Sequence, residues 1–262
     1  MQKIFTDQLG RKIALPALPR RIISLVPSVT ELLFDLGLEE EIVGLTNACI
    51  HPQEKTRART RVGDRTNLDI QQITSLSPDL IIAGKDENNF QELELLSRTF
   101  PVWICQVRNL EEAMEMITGI AFVLQRQPEA AYLNHLIGAG FRDLQLLGLE
   151  LGLRKKVAFF PGEMPLKAVG RDTFASDLLT KIGLTNVITS PGYPAVSSEM
   201  LRGLEPDLVF HSSAGDSPGW PDSSALFPQA EVRVVDGEMI FSYGSRLVKA
   251  VQYLFQLQAS LI

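Results

Sequence analysis

Cys49 and His51 stand one residue apart in Cys49-Ile50-His51-Pro52, directly after the apolar run Ile42-Val43-Gly44-Leu45. A thiolate and an imidazole suit soft or borderline transition metals such as zinc, iron, cobalt or copper. A loop leaving a strand could aim both at one cleft. Two ligands do not complete a metal site, and a buried cysteine beside a hydrogen-bonded histidine fits the same residues. His211 follows Leu208-Val209-Phe210 and precedes Ser212-Ser213. It therefore falls at the carboxyl end of a strand, where open α/β sheets place ligands; a capped loop residue would have the same surroundings. Tyr193, Trp220, Tyr243 and Arg246 are aromatic and cationic groups in the loops of the second half. Such groups stack on flat ligands and pair carboxylates or phosphates, with packing under Pro-rich loops the alternative for Tyr193 and Trp220. His135 lies in a helical stretch beside Asn134 and reads as structural or solvated.

The usual enzymatic signatures are absent. There is no G-x-S-x-G elbow, no Walker-type glycine loop, no H-E-x-x-H and no G-x-G-x-x-G after a strand. With 25 Lys+Arg against 31 Asp+Glu, the net charge of −6 supplies no field for nucleic acid. The basic stretch Arg57, Arg59, Arg61 reads as a solvated loop. Two cysteines without C-x-x-C spacing make neither a disulfide framework nor a zinc ribbon, and Cys105 reads as a buried strand residue. The amino terminus carries no apolar core of a secretory signal, and no apolar run is long enough to cross a bilayer. The expected location is the cytoplasm if Met1 is the native start, and the periplasm or cell surface if a leader was removed.

Strands and helices alternate. Arg21–Val26, Ile42–Leu45, Leu80–Ala83 and Val102–Ile104 are apolar, β-branched runs bounded by turn residues, which predict buried strands. Ser28 or Thr30 is predicted to cap a helix carrying Leu32, Leu33 and Leu36 and ending at Gly37. Further helices are predicted over 68–76 and 90–100. The alternation implies a parallel sheet.

An internal echo organises the whole. Leu76-Ser77-Pro78-Asp79-Leu80, with the helix before it and the strand after it, returns 128 residues later as Leu204-Glu205-Pro206-Asp207-Leu208. A weaker echo pairs Leu32–Leu38 with Leu178–Leu184. The pattern implies two lobes of related topology: an α/β lobe over 1–108, a helical connector over 109–153, and a second α/β lobe over 154–262. Pro128 marks a helix boundary or first turn in the connector, and Gly138 and Gly140 are places where it could kink.

Arg21 to Leu33, Leu76 to Ala83 and Gly170-Arg171-Asp172-Thr173-Phe174 resemble the helical-backbone metal receptor superfamily, the class III solute-binding proteins for cobalamin, siderophores and haem. Cys49–Pro52, Val235–Met239 and Tyr243–Arg246 are similar to its cobalamin-binding-like branch, many of whose members lack export signals. The resemblance implies two Rossmann-like lobes with central parallel sheets, one long backbone helix between them, and a ligand in the interlobe cleft. It implies that Pro27, Ser28, Thr30 and the loop with Cys49 and His51 line the first lobe's side. Arg171, Asp172, Tyr193, Tyr243 and Arg246 would line the other, with His211 and Trp220 as further contacts. Exported relatives dock to an ABC permease through a glutamate on each lobe, and Glu87, Glu92 and Glu238 lie near the implied places.

The function expected is therefore non-catalytic binding of a metal chelate, namely a corrinoid, an iron-siderophore or haem, by a monomer that requires no cofactor. Two alternatives belong to other classes. A chelatase-like enzyme on a two-lobed fold would use His51 as base and Cys49 to deliver metal, and an interaction module would carry a vestigial cleft.

Overall fold

The computed structural model describes residues 3–162, 166–213 and 223–262. They divide into two compact units: the chain to Val107 with Glu111–His135 and Tyr243–Arg246, and Arg108–Leu110 with Leu136–Ser242 and Leu247–Ile262.

The first unit opens with an antiparallel hairpin, β1 (Lys3–Thr6) and β2 (Lys12–Leu15). Then follow β3 (Ile22–Ser24), α1 (Pro27–Asp35), β4 (Ile42–Leu45), α2 (Gln53–Thr56), β5 (Thr60–Arg61) and a small pair, β6 (Gly63–Asp64) with β7 (Asn67–Leu68). The unit continues through α3 (Ile70–Ser75), β8 (Leu80–Gly84), α4 (Phe90–Ser97) and β9 (Val102–Cys105). The parallel sheet has the order β5-β4-β3-β8-β9. Its inner strands are apolar at nearly every position because helices cover both faces. Ile23, Ile81, Val102 and Ile104 pack with Ile73 of α3 and Leu93 and Leu96 of α4. On the other face Trp103 lies against Gly119, where a Cβ would stand 3.2 Å from the indole.

The predicted connector is two helices, α5 (Leu110–Leu124) and α6 (Gln127–Glu150). Gln125 takes a left-handed φ of 56° that ends α5, and Pro128 falls in the first turn of α6, where its missing N–H costs nothing. α6 runs unbroken through Gly138 and Gly140. Gly140 has a packing reason instead, since a Cβ there would strike the Val251 side chain.

The second unit contains β10 (Lys156–Phe160), α7 (Phe174–Lys181), β11 (Thr185–Asn186), α8 (Ser198–Leu201), β12 (Leu208–Ser212), α9 (Ser223–Leu226), β13 (Glu231–Val235), α10 (Gly237–Phe241) and α11 (Leu247–Ala259). Its parallel sheet has the order β11-β10-β12-β13. That order repeats β4-β3-β8-β9, so the sequence echo corresponds to a repeated topology. Its physical basis is visible at the two Pro-Asp pairs. The Asp79 carboxylate accepts from the Arg20 and Arg21 backbone N–H groups at 2.8 and 2.9 Å, at the entry to β3. Asp207 accepts from Lys156 N–H at 2.7 Å, at the entry to β10. In each unit the aspartate ties the start of one strand to the start of its neighbour. The weaker echo is a helix, α1 or α7, ended by a glycine of positive φ, Gly37 or Gly183.

One local expectation is corrected. Neither Ser28 nor Thr30 caps α1: the N-cap is Val26, without a side-chain cap, and Pro27 is in the first turn. Proline starts the helix here because its fixed φ suits that position, leaving both hydroxyls inside the helix.

Candidate functional site

Strand order reverses between β3 and β8 in the first unit and between β10 and β12 in the second. Open α/β sheets take ligands at the carboxyl ends of the strands flanking such a reversal.

In the first unit that position is occupied by the chain itself. Tyr243 donates from its backbone N–H to Ser28 Oγ at 3.4 Å and from its hydroxyl to Glu87 Oε1 at 2.5 Å. Arg246 donates from Nε and Nη2 to the two oxygens of Glu31, each at 2.6 Å. Gly244 lies so close to the Ser28 carbonyl that a Cβ would overlap it. Ser28, Thr30, Tyr243, Ser245 and Arg246 are all buried. Thr30 donates to Ser24 Oγ and to the Val26 carbonyl. The sequence reading assigned Tyr243 and Arg246 to the second lobe and made both, with Ser28 and Thr30, ligand contacts. The structure groups Tyr243–Arg246 with the first unit, where its phenol and guanidinium find their carboxylates. Pro27 remains half-buried at the start of α1.

The loop after β4 is set from below. Arg61 donates to the Thr46 and Cys49 carbonyls, both at 2.9 Å, and to Thr56 at 3.2 Å. Arg61 is thus a loop organiser, not part of a solvated basic stretch; Arg57 alone of that stretch is exposed. Cys49 is fully buried, its sulfur 3.2 Å from Thr46 Oγ1, and burial pushes its thiol pKa up. Of the predicted pair, His51 reaches the surface and Cys49 faces inward. Among the described residues no group of three or more His, Cys, Asp or Glu side chains could hold a metal.

Glu87 differs from the surface docking residue that the sequence suggested. Its carboxyl is folded over Gly84 and held by Tyr243. Burial raises its pKa and the nearby Asp86 adds to this, while Tyr243 and Arg65 pull it partly back. A carboxyl raised in the folded state contributes stability below its unfolded pKa, and that contribution is lost as pH rises through the folded value. Glu87→Gln keeps a carbonyl oxygen for Tyr243 and removes the ionisation. The variant is expected to match the parent in urea midpoint near pH 4 and to exceed it at pH 8; an equal offset at both values would contradict a desolvated charge. Glu92 accepts from Leu68 N–H at 3.2 Å, and Glu238 is exposed on α10.

In the second unit the corresponding loops display their side chains. The segment after β10 pairs with the segment after β11 through Ala168 N–H to Pro194, Gly170 N–H to Gly192 and Arg171 N–H to Ser190, at 2.8 to 3.0 Å. Thr173 caps α7 through Ser176 N–H and donates to the Gly170 carbonyl at 2.8 Å. This tight turn, with Asp172 at a φ of 60°, leaves the Arg171 and Asp172 side chains 65% and 63% exposed. Tyr193 is 43% exposed on the paired segment. His211, at the end of β12, is half-buried and stacks on Phe160 with ring centroids 5.7 Å apart. Burial lowers its pKa below the ordinary imidazole value. Trp220 lies outside the described residues. The paired loops therefore present a cation, a carboxylate and a phenol on a fixed backbone, and β12 carries the half-buried imidazole.

Parallel sheets of matching order in two units, with a long helix whose residues pass from one unit into the other, define the class III solute-binding fold. The periplasmic vitamin B12 binding protein of Vibrio cholerae matches it with a TM-score of 0.80, at 22% identity over 94% of this chain and 98% of that one. A periplasmic heme-binding protein from Roseiflexus sp. RS-1 gives 0.75 at 22% identity, covering 92% and 97%. The model of the family described as periplasmic binding protein matches residues 22–146. A vitamin B12-binding protein of Vibrio campbellii is 28% identical over 74% of this chain and 70% of its own length. An ABC transporter substrate-binding lipoprotein of Bacillus subtilis is 22% identical over 95% and 82%. These matches make the chain similar to periplasmic binding proteins, in sequence over residues 22–146 and in fold over most of its length. Among the described residues no helix is long and apolar enough to cross a membrane.

Proposed function

We propose that the chain binds a metal chelate of the corrinoid, haem or iron-siderophore class without transforming it, as the solute-binding component of an ABC-type uptake system. The observation that carries this reading is the platform after β10, β11 and β12, where Arg171, Tyr193 and His211 are held by backbone pairing at the edge where such sheets take ligands. Chelates of this class offer broad apolar faces and peripheral polar groups. An exposed phenol and a ring-stacked imidazole suit the former, a guanidinium the latter. The relatives support it by their names, which are those of binding proteins for vitamin B12 and heme.

Titration with cyanocobalamin, hemin and a ferric siderophore, followed by calorimetry and ligand absorbance, tests the reading. One of the three is expected to saturate at one equivalent, and Arg171→Ala with Tyr193→Ala to weaken it about tenfold or more, the loss of roughly 1.4 kcal/mol or more. Flat titrations with all three would defeat the assignment.

A further inference from the structure

The two sheets end on equivalent strands, β9 and β13, and their outer edges are finished differently. In the register of the sheets, Val102 pairs with Ile81 and Ile104 with Ala83, while Val232 pairs with Val209 and Val234 with His211. Since Ile81 and Val209 are related by the internal repeat, Val102 corresponds to Val232 and Ile104 to Val234. In a parallel ladder alternate residues turn their N–H and C=O groups away from the neighbouring strand. Glu231 N–H bonds to the Asp207 carbonyl and Ser213 N–H to the Val235 carbonyl, so 231, 233 and 235 face β12. Val232 and Val234 face outward.

On β9 the outward groups are sealed by the hairpin. Arg11 Nη2 donates to the Val102 carbonyl at 2.7 Å, Asp7 accepts from Ile104 N–H at 3.1 Å, and Gln8 accepts from Gln106 N–H at 3.1 Å. Beyond β13 the Asp236 N–H is closed by the Tyr253 hydroxyl at 2.8 Å. Among the described residues nothing equivalent covers Val232 or Val234, whose residues are 42% and 72% exposed. An open five-residue edge is a template for another strand.

We propose that this edge pairs with the β13 edge of a second copy, antiparallel and centred on Val232. The register follows from two conditions. Outward-facing residues must meet as hydrogen-bonded pairs, which allows a two-fold axis at Val232, at Arg233 or at Val234. Charge then chooses among them. At Val232 each Glu231 lies opposite the second copy's Arg233, and both are on the same sheet face as the existing Arg233 to Glu231 bond of 2.6 Å. At Arg233 the two Arg233 side chains would oppose each other, like charge against like; at Val234, Arg233 would meet Val235 and Glu231 would meet Gly237. With the axis at Val232 the two Val232 backbones exchange N–H and C=O bonds, and each Val234 N–H reaches the second copy's Ala230 carbonyl. Two strands of this length bury far less than a stable dimer needs. The association is weak and grows with concentration, and the monomer expected from sequence is its dilute limit.

A cysteine at 232 reads this register directly, because opposed residues of a hydrogen-bonded pair lie about 5.5 Å apart at Cα, within disulfide range. The native Cys49 and Cys105 are buried and give little background. Val232→Cys is expected to form a disulfide-linked dimer under mild oxidation at least tenfold faster than Lys249→Cys, an exposed control on α11. Arg233→Glu in the Val232→Cys background places like charges opposite each other and is expected to slow cross-linking severalfold. Adding Glu231→Arg restores complementarity and the rate, with circular dichroism reporting the fold of each variant. Cross-linking of Val232→Cys no faster than the control, or a rate indifferent to the charge exchange, overturns the proposal.

Discussion

Replacing Arg246 with alanine is expected to lower the free energy of unfolding by about 3–5 kcal/mol, the cost of stranding one member of a buried ion pair. The Arg246 and Glu31 side chains are only 9% and 12% exposed, and both Glu31 oxygens are engaged by one guanidinium. Removing the cation leaves a carboxylate that water reaches poorly on the first turns of α1. Arg246→Lys keeps the charge but loses the two-pronged geometry, so it should recover less than half of the loss. The decisive comparison is Glu31→Leu with Arg246→Leu together. A buried pair exchanged for apolar groups of similar size is often neutral, so the double variant should be much more stable than Arg246→Ala. Urea unfolding of the three variants and the parent measures this, and a loss under 1 kcal/mol for Arg246→Ala would show the pair to be effectively solvated.

This pair also marks what the sequence could and could not disclose. The strands were legible because a sheet buried on both faces demands unbroken apolar, β-branched runs: Ile42–Leu45 is predicted and observed over the same four residues. The repeat was legible because Pro78-Asp79 and Pro206-Asp207 perform one task, fastening a strand entry, twice. The return of Tyr243–Arg246 to the first unit left no such trace. It rests on partners more than 150 residues away, and no periodicity connects Arg246 to Glu31 or Tyr243 to Glu87. The one available signal was Glu31 itself, an acid followed directly by apolar Leu32 and Leu33 in a helix with little exposed surface. Ser28 and Thr30 were misread as helix caps for a related reason. Their residue types suit a cap or a ligand contact equally, and only the position of Pro27 in the first turn decides that they point inward.

Gly170→Ala is expected to destabilise the protein by about 1–3 kcal/mol, the usual range for an overpacked site, and to weaken chelate binding at least tenfold. A Cβ at this position would overlap the Ser190 carbonyl oxygen and stand 2.8 Å from that of Gly192. Both belong to backbone that cannot yield without breaking Gly170 N–H to Gly192 and Arg171 N–H to Ser190. Those bonds fix Arg171 relative to Tyr193, so the steric cost and the binding loss share one cause. Two glycines serve as controls. Gly192 has open space at its Cβ but a φ of 67°, so alanine there is expected to cost roughly 1 kcal/mol of backbone strain and leave the pairing in place. Gly203 has open space and no such φ, and alanine there should leave affinity unchanged. A ranking in affinity of Gly203→Ala over Gly192→Ala over Gly170→Ala, by calorimetry with the chelate that saturates the parent, would tie binding to the spacing of these two segments. If Gly170→Ala lost stability yet bound as tightly as Gly203→Ala, Arg171 and Tyr193 would not act together on the ligand.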